Sequence, residues 1–403
     1  MKRIVLNYLV ITVMVVVAAL TSCSSDEKLS GNEFVIEGKI SGVEDGAVIT
    51  LFRNDGDFGM SIATDTLKNG RFMFTKEAVS DPEKMSIMCF SDGYPSSRSL
   101  DVWVAPGKRI KIAGKDKLLP AWEVKSSIPY QKEANRYANT NRSIIRKMTE
   151  LSIEINDLRT KGRAASSEEA LTFKKITDSL EIIQNTLKIQ EIFANINIMK
   201  KMNVSPIWLD KMNGITMTIK YSNVGAEYAD EIRKKAEELY DRMSEEDKST
   251  PTGYKITANL FPPNTVGVGD DMVDGEFFDI NGNTKHLSEY LGKYLLLDFW
   301  SRGCGPCIMA IPEMKEVSEI YHDQLTIIGI SLDTDAVWKE AMVIHETPWV
   351  NIRDPKGFGG LAANYDVRGI PNYVMISPDG KIIDKWMGFG NGLIKRNVSE
   401  NIK

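Results

Sequence analysis

The sequence predicts a multidomain fold in three parts: a β-sandwich-like N-terminal domain, a helical middle segment and a C-terminal α/β domain. Three observations carry this. At 403 residues the chain exceeds one ordinary domain of roughly 100–200 residues. Its hydrophobic pattern passes from short β-rich runs to helical periodicity near residue 126, then to alternating strand and helix patterns after residue 265. Finally, Cys304-Gly305-Pro306-Cys307 sits between a buried-strand pattern and a helix pattern, the context in which Cys-x-x-Cys reads as a redox motif.

Composition narrows the function classes. With 42% hydrophobic and 26% charged residues the chain is not wholly disordered. A net charge of −5 argues against a strongly basic nucleic-acid binder, and no nucleic-acid partner is expected. Four cysteines are too few for a disulfide-dense scaffold. Three scattered histidines, His286, His322 and His345, offer no histidine-rich metal site, and no metal is expected.

Residues 1–22 have the layout of a secretory signal: basic Lys2-Arg3, apolar Ile4–Leu20, then small residues. Leu20-Thr21-Ser22-Cys23 resembles a bacterial lipobox, with Thr21 less usual at its position. The resemblance implies cleavage before Cys23 and lipidation of its thiol. The alternative is an uncleaved anchor, for which Ile4–Leu20 sits near the ~17-residue lower limit for spanning. Residues 23–32 would then be a lipid-anchored tether. The acidic residues after Cys23 also resemble the surface-export signal of Bacteroidetes lipoproteins. The expected location is the cell envelope, on the inner or outer membrane, facing the periplasm or the cell surface.

Residues 33–125 read as β. Phe34–Ile36, Val48–Phe52, Arg71–Phe74 and Asp101–Val104 are short strand-like runs punctuated by turn residues. Asn69-Gly70 is a hairpin signal. Cys89, in an apolar run, reads as a small buried hydrophobe. Residues 126–255 read as helical. Ile144, Met148, Leu151, Ile155 and Leu158 form one apolar seam; Phe173, Ile176, Leu180, Ile183 and Leu187 form another. With Thr160–Ser167 between them, they predict an antiparallel helix hairpin. Tyr228, Ile232, Leu239 and Met243 suggest a further helix. The Thr-, Pro- and Gly-rich stretch Thr250–Gly269 reads as a linker.

Residues 265–403 carry the chemistry. Tyr294–Trp300 is a buried-strand pattern leading through Ser301-Arg302-Gly303 into the motif. A thiolate is the nucleophile in disulfide exchange. Cys304 would lie at a helix N-terminus, where free N–H groups and the dipole favour an anion. Cys307 would lie one turn inside, shielded from substrate, and Pro306 costs little in a first helical turn.

Asp298-Phe299-Trp300, three residues, then Cys304-Gly305-Pro306-Cys307 matches thioredoxin at each fixed position. Gly369-Ile370-Pro371 follows about 65 residues later, where thioredoxin-like proteins carry a cis-proline facing the cysteines. With a hairpin at Val273–Leu287, a strand at Leu325–Asp333, a helix at Asp335–Met342 and an added strand at Trp349–Ile352, the segment Gly269–Trp386 resembles the TlpA/ResA branch of thioredoxin-like proteins. That branch overlaps the AhpC/TSA superfamily. A β domain of unknown function ahead of such a domain resembles a lipoprotein architecture common in Bacteroidetes.

The resemblance implies a thiol–disulfide oxidoreductase that reduces protein disulfides, with no cofactor beyond a redox-active disulfide between Cys304 and Cys307. It implies that Cys304 attacks, Cys307 resolves and Asp298 is the buried general base. Ile370 and cis-Pro371 would bind an extended client segment, beside Trp300, Gly305 and Pro306. The implied partners are disulfide-containing client proteins, a membrane thiol donor for re-reduction, and the membrane through the lipid anchor. Three departures matter. Gly303 replaces a usual Trp and should open the surface beside Cys304. Ala310 stands where ResA-like reductases often have Glu. Gly305-Pro306 is thioredoxin's pair rather than ResA's Glu-Pro.

Two other functions compete. A peroxiredoxin would carry Pro-x-x-x-Thr-x-x-Cys, but the matching positions are Leu297 and Ser301. A ligand- or partner-binding lipoprotein with an accessory redox domain would place the function in the long N-terminal region.

Overall fold

The computed structural model describes residues 29, 31–55, 58–79, 82–95, 98–221 and 226–402. The signal segment 1–22, Cys23 and most of the tether therefore lie outside the described residues. Among the described residues, no helix is long and apolar enough to cross a membrane.

The N-terminal strands are β1 (Glu33–Ser41), β2 (Val48–Asp55), β3 (Phe58–Thr66), β4 (Arg71–Glu77), β5 (Glu83–Cys89), β6 (Leu100–Val104), β7 (Arg109–Lys115) and β8 (Glu123–Lys125). They form two four-stranded sheets, ordered β4-β1-β7-β8 and β3-β2-β5-β6. Strand alternation turns Phe34 and Ile36, Ile49 and Leu51, Met85 and Ile87, and Val102 and Val104 into one shared core. This is a β-sandwich. Cys89 is buried in that core as a free thiol.

The Asn-Gly signal plays a different part from the one expected. Asn69 and Gly70 both take positive φ, as a tight turn requires. Yet β3 and β4 belong to different sheets, and only the isolated Lys68–Arg71 bridge closes the turn. The turn hands the chain from one sheet to the other. Only glycine fits at position 70, where a Cβ would come 2.1 Å from the Ile40 carbonyl oxygen.

The helices that follow are α1 (Pro129–Thr140), α2 (Arg142–Ala164), α3 (Ser167–Met199), α4 (Pro206–Tyr221), α5 (Ala226–Tyr240), α6 (Glu245–Lys248) and α7 (Pro251–Leu260). α2 and α3 form the expected hairpin, with a shorter turn than predicted: helix persists to Ala164, and Ser166 with Glu169 makes a capping box. The α3 seam also shifts. Ile176 and Ile183 are exposed, whereas Thr177 is buried and Gln184 donates to the Met148 carbonyl and Ser152 Oγ of α2. α3 has apolar residues on both sides, so periodicity alone does not select the packed one.

The linker expected at Thr250–Gly269 is half helix. Thr250 accepts from Gly253 N as an N-cap and Pro251 opens α7. Ile256 and Leu260 then enter the helical core beside Met212 and Ile232. The Thr-Pro pair that suggested a linker is a helix start, and the helical region extends past residue 255 to Leu260.

The last part contains β9 (Phe277–Phe278), β10 (Thr284–Lys285), β11 (Tyr294–Trp300), α8 (Gly305–Ile320), β12 (Leu325–Ser331), α9 (Asp335–Ile344), β13 (Val350–Arg353), α10 (Leu361–Asn364), β14 (Asn372–Ile376), β15 (Ile382–Met387) and α11 (Leu393–Asn401). Its seven-stranded sheet runs β10-β9-β13-β12-β11-β14-β15. β11, β12 and β13 are parallel, and β14 is antiparallel to β11. This is a thioredoxin-like arrangement. β11 sits deep in the sheet, and its alternation sets the site. Leu295, Leu297 and Phe299 pack against Leu361 and Tyr365 on one face. Leu296 packs against Ala310 and Met314 of α8 on the other.

Candidate active site

Strand period two puts Asp298 on the face it shares with Leu296 and Trp300, beneath α8. The chain leaves β11 at Trp300, turns through Ser301–Gly303 and enters α8 with Cys304 as N-cap. Cys304 N donates to the Ser301 carbonyl, and Cys307 N donates to Cys304 Sγ at 3.2 Å. That bond places the first cysteine's sulfur at the open N–H groups of the helix. The two cysteines form a disulfide, with S–S 2.09 Å and Cα–Cα 5.3 Å.

The pair is well covered. Cys304 is 5% exposed and Cys307 4%, packed with Trp300, Trp338 and Ala341. Cys304 itself stays covered even with Gly303 in place of the usual Trp. Trp338, fully buried on α9, and half-buried Met342 belong to the packing around the sulfurs. Gly305, Pro306 and Met309 remain exposed beside it.

Asp298 is 7% exposed, and its Oδ1 has no hydrogen-bond partner among the described residues. Burial pushes its carboxyl up to about 7. Directly opposite on β12 is Gly329, which brings no charge. Opposite on β14 is Tyr373, whose hydroxyl is also unpartnered. Burial, and then the nearby Asp298 carboxylate, raise the phenol's pKa.

The Ile370–Pro371 peptide is cis. Ile370 packs against the cluster holding both cysteines, so the Gly369-Ile370-Pro371 loop and the Cys-x-x-Cys turn meet in space. Every position proposed for chemistry or client binding in this domain lies on or beside one helix end: Cys304, Cys307, Asp298, Trp300, Gly305, Pro306, Ile370 and Pro371. Cys23 lies outside the described residues.

Sequence reasoning missed the support under the loop. Asp333 is buried and accepts from Ser301 Oγ at 2.6 Å, Arg302 N at 2.8 Å and Ser331 Oγ at 3.2 Å. Arg302 also forks onto the Glu340 carboxylate of α9. The signal was present: Ser331 and Asp333 are polar residues ending an otherwise apolar strand. Glu313, also buried, accepts from Gly392 N and Lys395 N, fastening the start of α11 to α8.

Known proteins match this part of the chain. The model of the AhpC/TSA family matches residues 268–385. A thiol-disulfide oxidoreductase ResA of Bacillus thuringiensis subsp. konkukian is 30% identical over 123 residues, 30% of this chain and 70% of that protein. The chain belongs to the ResA-type, thioredoxin-like thiol-disulfide oxidoreductases. Another ResA, from Geobacillus thermodenitrificans, is 40% identical over 73 residues, 18% of this chain; the match spans 42% of that protein's length. A solved thioredoxin domain of a thiol-disulfide oxidoreductase from Bacteroides vulgatus is 27% identical, covering 34% of this chain and 100% of that one, with a TM-score of 0.32. The match to the AhpC/TSA family lies wholly in the ResA-type part of the chain; the sandwich and the helical region precede it.

Proposed function

We propose that this ResA-type protein is a membrane-anchored, extracytoplasmic reductase of protein disulfides. The observation that carries the reading is the Cys304–Cys307 pair at the N-terminus of α8, above a buried Asp298 with no cation opposite it among the described residues. In the reduced protein the Cys304 thiolate attacks a client disulfide. One S–S bond breaks, one client thiolate leaves, and a mixed disulfide forms. Asp298 takes the Cys307 proton. Cys307 then attacks Cys304 Sγ and expels the second client thiolate, which takes up a proton. The client gains two electrons and the enzyme ends as the Cys304–Cys307 disulfide. A membrane thiol donor returns it to the dithiol.

The client segment lies extended along Ile370, whose backbone offers strand-type pairing that tolerates many sequences. Exposed Gly305, Pro306 and Met309 form the adjoining wall. The signal-like segment 1–22 and Cys23 support a lipid anchor, which keeps the domain at the membrane where its donor resides. The cell envelope is the compartment in which such a reductase has client disulfides to meet.

Cys307→Ala tests the reading. It should trap client proteins as mixed disulfides on Cys304, releasable by dithiothreitol, while Cys304→Ala traps none. The equilibrium potential of the pair then decides direction. A value near about −270 mV supports a reductase; a value near about −120 mV makes the protein a disulfide donor.

A further inference from the structure

A cavity of about 460 Å³ lies between the end of the sandwich and helices α1 to α4, among residues that the redox chemistry does not use. Its size falls within the usual range of small-molecule sites, roughly 300–1,000 Å³. It far exceeds the ~30 Å³ share of a single water. Three of its lining residues carry buried polar atoms with no partner among the described residues: Arg98 Nη1, Tyr137 OH and Asn141 Oδ1. Unmet buried donors and acceptors are costly and call for an occupant.

The orphaned atoms specify that occupant's chemistry. Asn141 Nδ2 donates to the Tyr137 carbonyl at 3.0 Å and to Asn195 Oδ1 at 2.7 Å. A backbone carbonyl only accepts, so the amide's orientation is set, both its donors are used and Oδ1 needs a donor. Arg98 supplies donors and a positive charge. Its side chain has no close ion pair among the described residues, although the Glu191 charge acts on it from a distance, and each acid on the wall has another cation. Asp101 pairs with Lys84, Glu123 with Arg142 and Glu191 with Lys188. Lys125 and Lys211, the latter with its ammonium over the Tyr137 ring, add further positive charge to the wall. A planar guanidinium fork matches a carboxylate, and Glu191, whose charge already acts on Arg98, favours an occupant with one negative charge over one with two.

We infer that this cavity binds a small carboxylate-bearing molecule, held by Arg98 and donating a hydrogen bond to Asn141 Oδ1. The donor is either a hydroxyl, as in a uronic acid, or an ammonium, as in an amino acid. The site gives the front half of the chain a ligand of its own, independent of the disulfide.

The test is calorimetric titration of the full chain in detergent with D-glucuronate, L-alanine and neutral D-glucose. Saturable binding of at least one carboxylate, with none of glucose, is expected. Glucuronate alone identifies a hydroxy acid, alanine alone an amino acid or peptide end; both together define a site reading only a carboxylate and a donor. Arg98→Gln should weaken binding by at least about tenfold while reducing a small disulfide at the wild-type rate. Should it not fold, Arg98→Lys keeps the charge, loses the fork and should still bind more weakly. Binding of neither carboxylate, equal binding of glucose, or wild-type affinity in the Arg98 variant that folds overturns the inference. None of these outcomes bears on the trapping experiment at Cys304.

Discussion

Asp298 on β11 and Tyr373 on β14 stand directly opposite each other in an antiparallel ladder, and each carries a buried oxygen with no hydrogen-bond partner among the described residues. Residues opposite one another project to the same face of a sheet. Among the described residues no cation opposes the carboxylate, and burial favours its protonated form. The pair sits beneath α8, whose N-cap is Cys304 and whose first turn holds Cys307. A carboxyl near 7 is matched to accepting a thiol proton at neutral pH.

Asn at position 298 separates stability from chemistry. A carboxyl raised from 3.8 to about 7 holds its proton in the folded state across a window where the unfolded chain has lost it. Folded protein then binds more protons than unfolded, so stability falls as pH rises from about 4 to 7. The penalty is absent below pH 4 and complete above 7, on the order of 4 kcal/mol at most. Asp298→Asn should therefore gain urea stability at pH 8 and none at pH 4, while resolution of the mixed disulfide slows. Equal stability changes at both pH values would contradict this.

Asp333 organises the loop that delivers Cys304. Alanine there leaves the Ser301 hydroxyl and Arg302 N–H without their acceptor, and about 2–3 kcal/mol should be lost. Disulfide exchange should slow in the same variant, because the N-cap residue loses its fixed approach to the helix. Stopped-flow reduction kinetics alongside denaturant unfolding checks both effects.

Glu313 acts on a different element. Its carboxylate accepts two N–H groups at the start of α11, where a negative charge is also favoured by the helix dipole. Glu313→Ala should cost about 1–2 kcal/mol. Hydrogen exchange should show α11 opening first, with the sandwich unaffected.

Gly38 tests the front domain. It pairs with Phe72 across β1 and β4, and a Cβ there would lie 1.9 Å from the Phe72 ring. Gly38→Ala should destabilise by about 1–3 kcal/mol through overpacking. Adding Phe72→Leu should recover part of the loss by making room. Calorimetric melting of the single and double variants reads this directly.

Much of the candidate site was legible because its signals are local. Cys-x-x-Cys after an apolar strand fixes the helix start, the N-cap and the place of both sulfurs within a dozen residues. Asp298, six positions earlier, inherits its face from strand alternation. Asp333 and Glu313 were missed because their partners are distant in sequence. A carboxylate that caps a loop 32 positions away shows in the sequence only as a polar residue at the end of an apolar strand. The seam of α3 and the start of α7 depart from the sequence expectation for related reasons: an apolar pattern on both sides of a helix, and a Thr-Pro pair that serves helix starts as readily as loops.

By itself the sequence determined the three-part order, the strand–turn–helix that carries the cysteines, and the family the motifs resemble. Each follows from periodicities and spacings of a few residues. Tertiary structure alone decided which sheet each N-terminal strand joined, that Trp338 packs in the cluster around the disulfide, and that Gly329 and Tyr373 flank Asp298. It also decided that Arg98 and Asn141 line one cavity. These depend on contacts between residues far apart in the chain. Burial and partnership, the quantities that set pKa and hydrogen-bond satisfaction, exist only once those contacts form.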